Sequence, residues 1–419
     1  MKQTMAYKIL ARASGKASVK ASDVILPKVE IVACLDTMAF IDAFDKKGYK
    51  VWDPSRMVVC FDHSFQPDWM YPAVKVHPKI RKFVRDQGIP AENFYDIGRN
   101  GISHHIPVEQ GFALPGTVCL GMDTQSATMG AANCFAMPCF EIVPVLLTGD
   151  VWLQVPECVQ VRLVGELPTG VAAKDVVYRL LRDLSPHVNG RVLEFSGPAL
   201  AALPIDARMT IANGSMQIGA LTSIFPPDRV LRDYMADRAR KPFEGVEADP
   251  DAPYVAEFEY DLSTFETVIA GPHDITLIRS LSEVQGLEIQ AANIGSCSSG
   301  RLTDLALAAK ILDGRKVHPG VRLVVTPISA DTGRAAEAAG IYRIFLEAGA
   351  TITTPGCGGC YSGNLSPLKL GDGERCLSTS VETIRGRMGS TESEVYLGNA
   401  AVAAASAIEG RIADPRKYL

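Results

Sequence analysis

The sequence contains no run of about 18 apolar residues, so no helix is expected to span a membrane. It also lacks an excess of positive charge, because 42 lysines and arginines stand against 47 aspartates and glutamates, for a net charge of −5. A nucleic-acid partner is therefore not expected. Residues 1–20 lack the apolar core of a secretory signal. Together these absences predict a cytoplasmic protein.

Histidine is scarce, with 7 residues in a chain of 419, whereas there are 10 cysteines. Ten cysteines would suit a disulfide scaffold only in a far shorter secreted chain, so they are expected to be thiols of a cytosolic protein. The length suggests about two to four domains of about 100–200 residues each. A hydrophobic content of 47% with 21% charged residues is ordinary for a globular protein.

Apolar segments that end in aspartate or histidine recur in the first third of the chain. Three predicted strands are followed by such residues: Val29–Cys34 by Asp36, Arg56–Phe61 by Asp62 and His63, and Thr117–Gly121 by Asp123. Open α/β sheets bind ligands at the carboxyl ends of their strands. Any one of these aspartates could instead cap the segment that follows it. The recurrence at three strand ends nevertheless predicts a functional edge.

The rest of the chain continues an α/β alternation. Helices are predicted at 1–16, 77–88, 174–184, 229–240, 302–312 and 332–339, and strands or extended segments at 94–97, 152–167, 192–195, 289–294, 321–326 and 350–353. The segment Lys241–Tyr254 is acidic and rich in proline, which predicts an exposed loop.

The stretch Thr354–Gly363 places two cysteines, Cys357 and Cys360, three positions apart among four glycines. Glycine permits left-handed backbone and close approach, so a tight turn can aim both sulfurs at one object. Cys297 lies in a similar Gly/Ser-rich turn after the predicted strand 289–294. A metal ion, an iron–sulfur cluster, a redox disulfide and half of a zinc site all fit this pattern.

These three cysteines differ from the other seven, which are expected to be buried as small hydrophobes. The seven are Cys34, Cys60, Cys119, Cys134, Cys139, Cys158 and Cys376. Three ligands would leave one iron of a four-iron cluster open, and such an iron can act as a Lewis acid. A zinc ion held by three cysteines would have the same open position. The number of cysteines therefore does not separate the two.

The residues around these cysteines resemble the cluster motifs of the aconitase superfamily, in particular its large subunits of the isopropylmalate dehydratase type. The similar segments, in chain order, are Trp52–Pro54, Phe61–His63, Gly101–His104 with Glu109 and Gly111, Leu114–Gly116, Asn293–Cys297 with Arg301, Pro355–Cys360, Ser378–Ser380, Gly386–Gly389, Tyr396–Leu397, Ala404–Ile408 and Asp414–Pro415. The resemblance implies a three-domain α/β core around a [4Fe-4S] cluster, with domains at 1–155, 156–275 and 276–419. It also implies the loss and re-addition of water on small hydroxy acids.

The resemblance assigns roles to single residues: cluster ligands at Cys297, Cys357 and Cys360, and proton-handling pairs at Asp62 with His63 and at His104 with Asp123. A carboxylate beside an imidazole fixes its tautomer and raises its basicity, so the histidine can donate to a leaving oxygen. The family's carbon-proton base is a serine on a swivelling domain, which isopropylmalate-type members carry on a separate small chain. No match to that domain's motif is found, so a small partner subunit carrying the serine is implied.

Several substrate-site positions depart from the family pattern. The positions that match the family's substrate site are Gln125, Asn213, Gln217, Glu382 and Arg387. Leu35 stands where the family has histidine or glutamine, and Gln125 stands where it has histidine. Gln217 replaces a glutamate, and Val381-Glu382 replaces an Asn-Arg pair. Arg387 matches an arginine that contacts a substrate carboxylate, which suits its forked guanidinium. Glu382 in place of an arginine would instead repel an anion by several kcal/mol at an effective ε of about 20.

Three explanations of Glu382 are open. The substrate lacks one carboxylate or carries a cation or hydroxyl; the chain has lost hydratase activity; or Glu382 turns outward. We favour the first, because both Asp–His pairs and all three cysteines are present. The sequence therefore predicts an iron–sulfur hydro-lyase large subunit acting on a small hydroxylated metabolite with fewer carboxylates than isopropylmalate or citrate. The alternative is a non-catalytic iron–sulfur or zinc paralogue with a sensing or regulatory role.

Overall fold

The protein is described by a computed structural model at residues 2–63, 73–360 and 367–419. Tyr361, Ser362 and Gly363 of the cysteine motif lie outside these ranges. Within them the chain forms three α/β layers, each built on its own sheet, and a small antiparallel pair of Val24–Ile25 with Leu153–Gln154. The predicted α/β class is confirmed.

The first sheet has five parallel strands, in the spatial order Phe94–Tyr95, Met57–Cys60, Ile31–Cys34, Val118–Gly121 and Phe135–Pro138. Its three central strands are buried at every residue, as expected for a parallel sheet covered on both faces. The helical segments of this layer are Met5–Ala13, Ile41–Lys47, Ala73–Gln87, Ile106–Glu109, Thr124–Ala132 and Ile142–Thr148. Because the central strands are adjacent and parallel, the residues that follow them meet at one edge of the sheet.

The second sheet has four parallel strands, in the order Thr222–Ile224, Val192–Ser196, Cys158–Val164 and Ala256–Asp261. Its helices are Ala173–Val188, Ile205–Asn213, Ser215–Ile218 and Arg229–Met235. The segment 241–254 has no helix or strand, as predicted, but it is not wholly exposed. Val246 is buried, and its N–H donates to Asn133 Oδ1 at 2.7 Å.

The third sheet has seven strands, in the order Ile278–Ser280, Val268–Ala270, Glu394–Leu397, Arg375–Ser378, Ala291–Gly295, Arg322–Thr326 and Thr351–Ile352. Val268–Ala270 runs antiparallel to both neighbours, and the other pairs are parallel. The helices of this layer are Leu281–Val284, Ser296–Ser299, Leu302–Leu312, Ala330–Ala338, Ile341–Ala348 and Ala400–Glu409. The strand Val268–Ala270 belongs to this third sheet, although it lies before residue 276, where the third domain was predicted to begin. The predicted domain boundaries stay a prediction.

One apolar core joins the three layers. Val58 of the first sheet, Val161 of the second and Val324 of the third belong to the same cluster of buried side chains. Each such side chain contributes about 1.5–3 kcal/mol by leaving water, so the layers are held in a fixed arrangement. Within the described ranges, no helix combines the length and apolarity needed to span a bilayer.

Candidate active site

The three cysteines of the Gly-rich turns lie together at one edge of the third sheet. Cys297 follows the strand Ala291–Gly295, and the other two follow the strand Thr351–Ile352. With Ile102, Ile328 and Val381 they form a small buried cluster that is separate from the larger cores. The structure therefore brings the three predicted ligands to one place.

Both cysteine turns pack against Thr326, at the carboxyl end of the strand between them. A Cβ on Gly295 would lie 2.0 Å from the Thr326 carbonyl oxygen, and one on Gly358 would lie 2.3 Å from Thr326 Oγ1. Both glycines also have positive φ, of 132° and 58°. Only glycine fits such backbone at such close approach, so these residues fix how near the sulfurs come to one another.

The histidines and aspartates at the edge of the first sheet form one continuous chain. His63 Nδ1 lies 2.7 Å from Asp62 Oδ1, and His63 Nε2 lies 3.6 Å from Asp123 Oδ2. The other oxygen of Asp123 lies 3.7 Å from His104 Nε2. The sequence predicted two separate pairs, whereas the structure links them through Asp123.

Backbone hydrogen bonds tie this edge to the cysteine turns. The N–H of Cys357 donates to the Asp62 carbonyl at 3.0 Å, and the N–H of Ile102 donates to the Ile328 carbonyl at 3.0 Å. Asn100 Nδ2 donates to the Pro355 carbonyl at 2.6 Å. The side chains of the first sheet and the sulfurs of the third are thus held against each other by the main chain.

The two histidines have opposite protonation preferences. Burial lowers the pKa of His63, but the carboxylates of Asp62 and Asp123 outweigh it and raise the pKa to about 10. Burial lowers the pKa of His104 to about 4, against a weaker opposing effect of Asp123. Near neutral pH, His63 is therefore an imidazolium and His104 a neutral imidazole. The side chain of His63 is 24% exposed and accessible to a ligand.

Asp36 is a site residue to which sequence reasoning assigned no role. Its two carboxylate oxygens accept the backbone N–H of His63 at 3.1 and 3.3 Å, and its charge also raises the pKa of His63. The sequence indicated Asp36 only by its position after the strand Ile31–Cys34, which lies beside the strand that precedes Asp62. Its contact with the backbone of His63 depends on strand register, which the residue pattern does not give.

Burial and the neighbouring thiol of Cys360 raise the pKa of Cys297 to about 12. A hydrogen bond between the other two thiols lowers the pKa of Cys360 and raises that of Cys357. Arg387 also stabilises the Cys360 thiolate, because its guanidinium donates to Cys360 O at 2.9 Å and to Cys360 Sγ at 3.5 Å. The predicted carboxylate-binding arginine thus contacts the cysteine turn.

A cavity of about 280 Å³ lies between these groups. Its walls are Thr37, His63, Ile102, His104, Asp123, Thr124, Gln125, Cys297, Cys357, Cys360, Val381 and Arg387. Asp62 is fully buried and reaches the cavity only through His63. Eight predicted site residues therefore share one cavity with each other, namely His63, His104, Asp123, Gln125, Arg387 and the three cysteines.

Two predicted substrate-binding residues, Asn213 and Gln217, line a neighbouring small recess instead of this cavity. Gln217 Nε2 donates to Glu382 Oε1 at 3.3 Å, and Glu382 is half-buried. Glu382 is therefore directed toward Gln217 and not outward. Val381 belongs to the walls of both the cavity and the recess.

Lys174 is a second residue that the sequence did not single out. It is 5% exposed, and its Nζ donates to Ser298 Oγ at 3.0 Å and to Ser380 O at 2.7 Å. Burial lowers its pKa to about 8. It stands near the start of the helix Ala173–Val188, where the local sequence gives no sign that the helix end is covered by another layer.

Among the described residues, one group of three places its ligand atoms within 4.8 Å of one another, namely Asp36, Asp62 and His63. The cysteine triad does not meet that limit. A single tetrahedral zinc with Zn–S bonds of about 2.3 Å would hold its sulfurs about 3.8 Å apart. At least one of the three sulfur–sulfur distances is therefore longer than a single metal ion requires.

Comparisons with known proteins agree with this architecture. The profile of the Aconitase family (aconitate hydratase) matches residues 37–285 and 277–410. The chain is 39% identical over 425 residues to 3-isopropylmalate dehydratase large subunit 1 of Methanopyrus kandleri, covering 100% of both chains. It is 40% identical over 371 residues to the probable methanogen homoaconitase large subunit of Methanosarcina mazei, covering 88% of this chain and 93% of that one.

A solved structure has a similar fold. The crystal structure of Thermococcus kodakaraensis aconitase X in its holo-form has a TM-score of 0.50 to this chain, over 88% of each, at 11% identity. At such low identity, the similarity shows the fold alone. The full-length relatives and the family profile go further: the chain belongs to the aconitase family and is a hydro-lyase similar over its whole length to isopropylmalate dehydratase large subunits.

Proposed function

We propose that this chain is the large subunit of an iron–sulfur hydro-lyase that adds or removes water on a small hydroxy acid. The observation that carries the proposal is the shared cavity. Three cysteine thiols, one protonated and one neutral histidine, and Asp123 line the same space of about 280 Å³. Thiols alone would suit a structural metal, and histidines alone would suit many enzymes, but their combination suits metal-assisted loss of a hydroxyl.

The residues present fit a [4Fe-4S] cluster held by Cys297, Cys357 and Cys360. Burial raises the pKa of Cys297 to about 12, so its thiolate form needs a positive charge beside it, as a metal provides. At least one of the three sulfur–sulfur distances exceeds the spacing around a single zinc ion. When bound by three cysteines, such a cluster supplies an iron without a protein ligand, which polarises a hydroxyl as a Lewis acid.

His63 is the proposed proton donor to the departing hydroxyl. Its Nδ1 is engaged by Asp62 at 2.7 Å, which fixes the ring and leaves Nε2 to hold the transferable proton. A pKa of about 10 keeps that proton on the ring at neutral pH. Asp123, 3.6 Å from Nε2, can stabilise the imidazolium before transfer and orient the ring.

His104 is proposed to bind the substrate as a neutral imidazole. Its side chain is 2% exposed, and its Nδ1 has no hydrogen-bond partner within the ranges the structure describes. A buried polar atom without a partner costs about 1–3 kcal/mol, which a substrate oxygen or a water in the cavity could offset. Gln125 lines the same wall and adds an amide.

The proposed substrate has fewer carboxylates than isopropylmalate or citrate. Arg387 adds a second positive charge to the cavity wall, beside that of His63, and the position where the family pattern has another arginine holds Glu382. A carboxylate about 4 Å from Glu382 would be repelled by about 4 kcal/mol at an effective ε of about 20. One carboxylate near Arg387 is therefore accommodated, and a second near Glu382 is not.

A small partner subunit is also part of the proposal. The relatives from Methanopyrus kandleri and Methanosarcina mazei are named as large subunits. The carbon-bound proton would be removed by a serine of such a partner, since none of the groups in the cavity has that role in the family pattern. The partner would close the cavity from the side that this chain leaves open.

The test is to purify the chain without oxygen, alone and with a small subunit encoded beside it. We expect iron and sulfide in about equal amounts, the broad visible absorption of a thiolate-held cluster, and reversible hydration of an unsaturated acid only when the small subunit is present. One zinc per chain, together with no turnover by the chain alone or with the small subunit, would refute the proposal.

A further inference from the structure

The recess beside the cysteine cavity contains two buried acceptors that lack a donor. The recess is lined by Lys174, Tyr178, Asn213, Gln217 and Val381, together with Val177, Thr210, Gly214, Ile275 and Ser298. Its free volume is about 10 Å³, which admits a group about the size of a water molecule. From its hydrogen-bonding groups we infer that it binds an uncharged, hydrogen-donating group of the substrate, a hydroxyl or the NH2 end of a carboxamide. This inference rests on the function proposed above.

The orientation of the Asn213 amide follows from its neighbour. Asn213 is 1% exposed, and its Nδ2 donates to Thr128 Oγ1 at 3.2 Å. The hydroxyl hydrogen of Thr128 is already donated to the Gln125 carbonyl at 2.7 Å, so this oxygen can only accept. The amide nitrogen must therefore face Thr128. Asn213 Oδ1 is left buried, without a donor in the described part of the chain.

The orientation of the Gln217 amide follows from the same argument. Its Nε2 lies 3.3 Å from Glu382 Oε1, and a carboxylate carries no hydrogen to offer. The amide nitrogen must face Glu382, which leaves Gln217 Oε1 as the second buried acceptor with no partner among the described residues. Two residues of the recess lining thus each carry an amide oxygen without a donor, and the hydroxyl of Tyr178, also in the lining, is likewise buried without a partner among the described residues.

Lys174 does not supply the missing donor. Its ammonium donates to Ser298 Oγ and to Ser380 O, and it lies 5.3 Å from the centre of the Tyr178 ring. The ammonium is therefore engaged on three sides. Its charge opposes that of Glu382, so the recess as a whole favours neither a cation nor an anion. A neutral donor satisfies the acceptors without adding charge.

The recess and the cavity can be occupied by one molecule. Val381 contributes to both walls. A hydroxy acid whose reacting carbon lies beside the cysteines could extend a short polar arm past Val381. A hydroxyl or amide on that arm could donate to the two amide oxygens and accept from the Tyr178 hydroxyl, whereas a carboxylate has no hydrogen to donate to them.

The experiment measures equilibrium binding by calorimetry to the cluster-loaded complex of both subunits. The probes are 2-hydroxysuccinate and its monoamide, which differ only in one carboxylate. We expect the wild type to bind the monoamide at least about 10-fold more tightly. We expect the double variant Gln217→Glu with Glu382→Arg, which restores the residue types of the family pattern, to reverse that preference.

A matched control changes the same residue types on the surface. Gln285→Glu with Glu257→Arg makes an equal change in charge at exposed positions and should leave the preference unaltered. If the double variant in the recess does not fold, Glu382→Gln alone should still reduce the preference for the monoamide. A wild type that binds the diacid as tightly as the monoamide, or binds neither, would overturn the inference, as would an unchanged preference in the recess variants.

Failure of the inference can be told apart from failure of the proposed function. Iron, sulfide and turnover are measured on the same samples. Turnover of the diacid by a cluster-loaded enzyme without any preference for the monoamide would remove only the inference. A clear binding preference in a complex that holds no cluster and turns over no hydroxy acid would support the recess and refute the hydro-lyase proposal.

Discussion

The wall of the cavity built by the first sheet and the wall shared with the recess differ in what their polar side chains face: on the first they face one another and leave His104 Nδ1 over, whereas on the second two amide oxygens face no donor among the described residues. On the first wall, Asp62, His63, Asp123 and His104 form a chain with separations of 2.7, 3.6 and 3.7 Å. On the other, amide oxygens of Asn213 and Gln217 lack donors in the described residues. A proton must be held at a fixed atom whatever the substrate, whereas a binding wall is completed only by its ligand.

The largest effect is expected for a proposed cluster ligand, because both walls of the cavity surround the cysteines. Cys357→Ser should abolish the broad visible absorption and all turnover, because serine oxygen is a poor ligand for iron in a sulfur cluster. Cys139→Ser is the matched control, since Cys139 is half-buried away from the cavity. A Cys357→Ser protein with unchanged absorption and iron content would exclude this residue as a ligand.

A large effect confined to the proton-handling wall is expected for His63→Gln. The variant keeps a polar side chain of similar size but cannot deliver a proton, so kcat should fall by about 100-fold or more while iron and sulfide content stay the same. His187→Gln tests the same exchange at an exposed histidine of the second layer and should retain full activity. Unchanged kcat in His63→Gln would refute the role of proton donor.

The proton-handling wall could be predicted from the sequence far better than the binding wall. Buried parallel strands are continuous apolar runs, so strand ends and the polar residues after them are visible in the sequence. The strand Met57–Cys60, followed by Asp62 and His63, is such a case. The cysteine turns could be found as well, because the glycines and serines around Cys297, Cys357 and Cys360 mark tight turns that can aim the sulfurs at one object.

Contacts between distant segments could not be predicted. Gln217 and Glu382 are 165 positions apart, and their hydrogen bond exists only because a helix of the second layer faces a loop of the third. Lys174 lies in a helix that the sequence predicted, but nothing local indicates that its ammonium is enclosed by Ser298 and Ser380. Periodicity gives the element, and the packing of layers decides which face is buried.

A smaller effect on the proton-handling wall is expected for Asp36→Asn. Loss of this carboxylate removes one of the charges that raise the pKa of His63 from its ordinary value to about 10. A lower pKa means that His63 loses its proton at a lower pH, so the alkaline limb of the pH profile of kcat/KM should move to lower pH. At neutral pH most of His63 should stay protonated, because Asp62 and Asp123 still raise its pKa, so the rate there should fall by less than about 10-fold.

The control for Asp36→Asn is Asp45→Asn, at an exposed position of the neighbouring helix Ile41–Lys47. It should leave the alkaline limb where it is. A purely structural role of Asp36 would lower the amplitude of the profile without moving it. Such a result, with an unshifted limb, would contradict the electrostatic role.

The smallest effect is expected for Lys174→Met, and it bears on the binding wall. Methionine fills similar volume but leaves Ser380 O and Ser298 Oγ without the ammonium, which should cost about 1–3 kcal/mol of unfolding free energy. Since Ser380 immediately precedes Val381 and Glu382, KM should rise more than kcat falls. Lys310→Met, at an exposed helix position, should change neither the unfolding midpoint nor KM. A loss of kcat with constant KM would instead place Lys174 with the proton-handling groups and erase the contrast between the two walls.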